Sequence, residues 1–110
     1  MINSTESRSE VDDVLETIDS LHHKAVTQLQ VEYHNKEEYC LSQAPQWISQ
    51  YAIVNGEVEE GDAREIISDD MDKYLKSEHE KMEQTIEKLE KLREFIRMRA
   101  MEFFNASQLR

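Results

Sequence analysis

The sequence predicts an all-α fold: two long antiparallel helices forming a hairpin, joined by a bend that holds a short helix or an irregular segment. Three observations predict it. The stretch 62–106 has neither Gly nor Pro, and the whole chain holds only 2 Gly and 1 Pro. Apolar residues recur there every seven positions, at Leu75, Met82, Leu89, Ile96 and Phe103. Charged residues make up 34% of the chain, the composition of long solvated helices.

The second helix is the organising element. Ile67, Met71, Ile86, Leu92 and Ala100 widen the seven-residue line into a stripe, and the other faces are charged. Roughly 45 helical residues would extend about 65 Å. A rod that long in a chain of 110 residues must lie against the first half of the chain or against another protein. Asp62 with Glu65 fits a helix-starting pattern, so the helix is placed at 62–106. Acid-first pairs at i,i+4 (Asp69–Lys73, Asp72–Lys76, Glu87–Lys91) support its exposed faces by about 0.3–0.5 kcal/mol each.

The first helix is placed at 9–42, after a flexible tail at 1–8. Ser7 with Glu10, or Ser9 with Asp12, makes a capping box, and Glu10, Asp12, Asp13 and Glu16 suit the positive end of a helix dipole. The apolar face runs through Val11, Val14 or Leu15, Ile18, Leu21, Ala25, Leu29 and Tyr33 to Cys40 and Leu41. Pro45 is expected to stop it, because the residue before a proline resists helical geometry.

The connector, 43–61, admits two readings. Pro45 can open a short helix that ends at Asn55-Gly56, with Trp47, Tyr51 and Val54 on one face. Alternatively, Ile48–Val54 is a strand, Asn55-Gly56 a hairpin turn and 57–60 a short acidic return strand. A lone two-stranded ribbon is weakly stable, which favours the helix. The tail at 107–110 is expected to fray.

Charge sets the expected direction of packing. Helix 1 begins acidic, while helix 2 ends with Lys88, Lys91, Arg93, Arg97 and Arg99. An antiparallel hairpin brings these ends together, whereas parallel packing of two copies would set like charges level.

The formal net charge of −11 argues against direct nucleic-acid binding and against an anionic membrane surface. No apolar run reaches a membrane-spanning length, and the polar start shows no signal-peptide core. The single cysteine, Cys40, excludes an intrachain disulfide and points to an intracellular compartment, cytoplasmic or nuclear.

No residues of this chain spell a catalytic, cofactor or metal site. Only Asp19–His22 has the Glu-x-x-His type of spacing, and one pair does not make a metal centre. His22 and His23 point about 100° apart on a helix. Cys40 lacks partners for a zinc cage, and nothing places a base beside it. His79 and Glu83 form an ordinary surface pair. No Gly-rich phosphate loop or nucleophile elbow is present.

Two groups suggest partners instead. Trp47 and Tyr51 at the bend, and Leu89, Leu92, Phe95, Ile96, Phe103 and Phe104 near the C-terminal end, are the candidate partner-binding residues. Adjacent Phe103 and Phe104 cannot both face one helix, so either one is core and the other exposed, or this end is covered on two sides, the reading favoured here. Glu57, Glu59, Glu60, Asp62, Asp69 and Asp70 form a candidate acidic docking patch for a basic partner, or simply a solvated helix start.

In outline the chain resembles the small coiled-coil subunits of kinetochore, tethering or transcription assemblies. That resemblance is architectural. It implies a non-enzymatic scaffold whose partners are other helical subunits or further copies of itself. A small acidic inhibitor or nucleic-acid mimic docking on a basic groove is the alternative.

Overall fold

The computed structural model describes the backbone at 2–54, 56 and 59–108, and the side chains at 10–54, 56 and 59–106. It consists of two long helices packed as a hairpin, α1 (Ile2–Val54) and α2 (Glu60–Gln108). The described residues contain no strand. None of their helices is long and apolar enough to cross a membrane.

Helix α1 is longer at both ends than the sequence suggests. It begins at Ile2, so residues 2–8 are helical and neither proposed capping box marks its start. Nothing in 2–44 is Gly or Pro, so no residue there forces a boundary. At the other end the helix runs through Pro45 to Val54. Proline removes one backbone donor and crowds the carbonyl four residues earlier, at a cost of about 3 kcal/mol. Packing offsets that cost here. Pro45 itself is exposed, but Ala44, Trp47, Ile48, Tyr51 and Ala52 continue the inward face of Cys40 beyond it. Ile48 is buried, at 9% exposure, and Cys40 at 4%. The strand reading of 48–54 is therefore replaced by helix, continuous with α1 rather than a separate short one. Of the expected return strand 57–60, Glu60 instead opens α2 and Glu59 is not in a strand, while Asn55, Glu57 and Val58 lie outside the described residues.

Helix α2 starts two residues before the expected Asp62. The Ala63 N–H donates to the Glu59 carbonyl at 3.0 Å, closing the first turn there. Glu60 and Asp62 then occupy that turn, beside its free amides. Ala63 is wholly buried, at 0% exposure. Its burial explains why a helix that carries Gly61 in its first turn still forms. The helix reaches Gln108, past the expected end at 106, and residues 109–110 lie outside the description.

The inward face of α2 departs from the seven-residue line. Ile67, Met71, Leu75, Met82, Ile86, Leu89, Ala100 and Phe104 are at least partly buried, whereas Leu92, Ile96 and Phe103 are exposed. A straight helix drifts about 20° per heptad, so Phe103 lies about 80° from the direction of Leu75. The burial pattern instead repeats every eleven residues, through Ile67, Glu78, Leu89 and Ala100, and again through Met71, Met82, Arg93 and Phe104. The polar residues at inward positions of α2, Glu78, Arg93 and Arg97, each meet a partner on α1.

By contact density the chain divides into two units. One comprises Met1–Leu29 with Gln84–Arg110, and the other comprises Gln30–Glu83. In the first, Arg97 pairs with Asp19 at 2.8 Å and Arg93 approaches His22 Nδ1 at 3.5 Å. The residue numbers rise on α1 as they fall on α2, which is antiparallel pairing. The acidic start of α1 and the basic end of α2 meet here as their charges require.

In the second unit the Lys36 ammonium donates to Glu78 at 2.8 Å, and Lys81 reaches the same carboxylate at 3.4 Å. That hydrogen bond holds the Glu78 carboxyl below its ordinary value, burial partly opposing it, and Lys36 is raised for the same reason. The signs give a window. A lowered carboxyl stabilises the fold above its ordinary pKa, and that stability is lost as pH falls through the lowered value. A raised ammonium stabilises the fold below its ordinary pKa, and that stability is lost as pH rises through the raised value. The pair therefore supports the fold from mildly acidic to strongly alkaline pH. Glu78→Gln is expected to flatten the acid limb of a stability–pH curve taken by urea unfolding. An unchanged limb would show that the pair contributes nothing.

Candidate functional site: two interhelical grooves

Each unit has an apolar groove lined by residues of both helices. In the first unit a groove of about 250 Å³ is lined by Ile18, Leu21, Ala25, Leu89, Leu92 and Ile96, with His22 and Arg93 at its floor. Residues spaced by three and four on each helix share a face, so this lining follows directly from the two helical periods. His22 Nε2 and Arg93 Nε are buried there and have no hydrogen-bond partner. Of the expected partner-binding residues, Leu89 is half-buried in the floor. Leu92 (51% exposed) and Ile96 (40%) stand on its rim.

Beyond the groove the C-terminal aromatics separate. Phe104 turns inward and is half-buried, while Phe103 is 66% exposed, the rings meeting edge to face at 5.5 Å. Phe95 is exposed on another side of α2, with the Arg99 guanidinium 5.9 Å from its ring centre. The expected cluster is thus split. Leu92, Ile96 and Phe103 lie on the groove side, and Phe95 does not join them.

The second unit holds a larger groove of about 470 Å³. Cys40, Ile67 and Met71 form its apolar base. Tyr39, Trp47, Tyr74 and Asp70 stand around it, and Asn35 and Lys36 complete the lining. Tyr39 and Trp47 meet at 5.9 Å with their planes 66° apart, which makes an aromatic corner. Trp47 was expected to matter at the bend. Tyr39 and Tyr74 were not singled out. Tyr39 and Trp47 are eight positions apart, on one face only if the helix continues through Pro45. Ending the helix at Pro45 hid their pairing. Tyr51 is half-buried on the inward face and is not part of this groove.

Next to this groove Tyr33 packs edge-on against His79, ring centres 5.2 Å apart. Desolvation, and secondarily the Glu37 charge, raises the Tyr33 phenol above its ordinary value. His34 meets Glu38 at 3.0 Å, and His79 also meets Glu83 at 3.6 Å as expected. Asp19 pairs with Arg97 rather than His22. The Glu87–Lys91 pair forms at 3.4 Å.

Glu59, Glu60, Asp62, Asp69 and Asp70 are all exposed, Glu60 facing Arg64 at 3.8 Å, and Glu57 lies outside the described residues. Asp70 lines the larger of the two grooves described above.

Compared with protein-family models, curated proteins and solved structures, the chain matches none of them.

Proposed function

We propose that this chain is a non-enzymatic helical adaptor, a scaffold subunit of a kinetochore-, tethering- or transcription-type assembly, completed by helices of other proteins. One observation carries the reading: in the first unit, Leu21, Leu92, Ile96 and Phe103 are exposed together with an apolar groove between the helices. An apolar stripe beside a two-helix groove is what an amphipathic helix covers, entering with residues at i, i+3, i+4 and i+7. The charged outer faces supply solubility and, through the Asp19–Arg97 pair, register. The exposed acids around the start of α2 support the alternative, a small acidic inhibitor or mimic docking on a basic groove.

The test is the mass and thermal unfolding of the purified chain at two widely separated concentrations, alone and with each protein that co-purifies. The adaptor reading expects unfolding to sharpen and rise when a helical partner is present. Leu92→Asp is expected to weaken that complex by about tenfold or more, because it buries an unpaired charge, while leaving helical content unchanged. A monomer with the same sharp transition at both concentrations, indifferent to every such protein, overturns the reading. Steeply salt-dependent binding to a basic protein, untouched by Leu92→Asp, moves the function to the acidic alternative.

A further inference from the structure

We propose that the groove of the second unit receives an arginine side chain from a partner segment. The inference rests on the reading of this chain as a binder of other proteins, and it names the chemistry that a second contact, separate from the Leu92 groove, would recognise.

The shape of the lining selects the ligand. Tyr39 and Trp47 meet edge to face with their planes 66° apart, and both line the groove together with Tyr74 from α2. Aromatic faces attract cations through their quadrupoles. Asp70 stands one turn before Tyr74 on the same helix, exposed, with no ion pair or hydrogen bond among the described residues. The other charge in the lining, Lys36, is held by Glu78 at 2.8 Å, on a carboxylate that Lys81 also reaches at 3.4 Å. The groove therefore offers aromatic surface and an exposed carboxylate with no protein partner among the described residues, while its one ammonium is tied to Glu78.

Three cations compete for such a place. A trimethylated ammonium has no N–H donor for a carboxylate and is held by an enclosing aromatic cage. This groove is open, with Tyr39 and Tyr74 both exposed. A lysine ammonium is compact and strongly hydrated, and it stacks poorly on a ring. A guanidinium is planar and weakly hydrated. It can lie on an aromatic face and still present two parallel N–H groups to Asp70. The apolar base of Cys40, Ile67 and Met71 suits the methylene stem and a neighbouring apolar side chain of the same segment.

Trp47 is the only tryptophan in the chain, so its fluorescence reports on this groove. The probe is a synthetic amphipathic helical peptide with one central arginine, compared with the same peptide carrying citrulline or lysine, and with tetramethylammonium chloride. The arginine peptide is expected to shift Trp47 emission saturably. The citrulline and lysine peptides are expected to bind about tenfold more weakly or worse. Asp70→Asn, an exposed change that leaves the helix intact, is expected to cost about tenfold for the arginine peptide only, and Asp62→Asn nothing. Equal binding of the citrulline peptide, indifference to Asp70→Asn, stronger binding of tetramethylammonium, or no emission change with any probe overturns the proposal. Leu92→Asp is expected to leave the arginine peptide's affinity unchanged. If Leu92→Asp disrupts a partner complex while the arginine peptide fails to bind, this inference falls and the adaptor reading stands.

Discussion

Replacing Ile48 by Ala is expected to destabilise the protein by about 2–4 kcal/mol, among the largest effects of any single truncation in the chain. Ile48 is one of three buried apolar residues among those described, with Cys40 and Ala63. The other inward side chains are half-exposed, so most truncations lose only part of a burial. Ile53, five positions on, is 79% exposed, and Ile53→Ala is expected to change stability by about 0.5 kcal/mol or less. Urea unfolding of both variants checks the contrast. Under the strand reading, alternation would place Ile48 on the face of Gln50 and Ala52. In the helix it shares a face with Ala44 and Tyr51. Equal losses at the two isoleucines would mean that the inward face of α1 does not continue past Pro45.

Pro45→Ala is expected to raise stability by about 2 kcal/mol. Proline in a helix interior is about 3 kcal/mol less favourable than alanine, and roughly 1 kcal/mol of that is returned because proline also restricts the unfolded chain. Pro45 is exposed, so its ring leaves no buried void when removed. For a domain of this size the gain corresponds to a rise in Tm of about 10 °C, read by far-ultraviolet circular dichroism. A fall in Tm would show that the ring makes a contact worth more than the helical bond it prevents. Because Pro45 lies between Tyr39 and Trp47 on α1, the same variant shows whether the aromatic corner depends on the local helix geometry. Its Trp47 emission should keep its response to the arginine peptide if the inward face alone sets that corner.

Much of the fold was legible in the residues. The absence of glycine and proline from long stretches, the apolar periods and the charge asymmetry predicted two long antiparallel helices, and the structure has them. The Glu87–Lys91 and His79–Glu83 pairs follow from i,i+4 spacing alone, because both partners lie on one turn-to-turn face. The site was less legible. Ile96 and Phe103 fit a seven-residue line, but a line drawn at seven strays from a helix that repeats at 3.6. Residues that read as core therefore stand in solvent, and Glu78, Arg93 and Arg97 occupy inward positions instead. Arg93 and Arg97 looked like surface charge. Asp19 and His22, remote in sequence, meet them across the helices, and Glu94 adds a second partner for Arg93.

By itself the sequence determined that the chain is helical and antiparallel, because backbone propensity and charge are local properties that need no knowledge of neighbours. Tertiary structure alone decided that α1 passes through Pro45 and that Tyr39 joins Trp47. The deciding free energy is the burial of Trp47, Ile48 and Tyr51 along the inward face of α1, and only contacts between residues distant in the chain supply it.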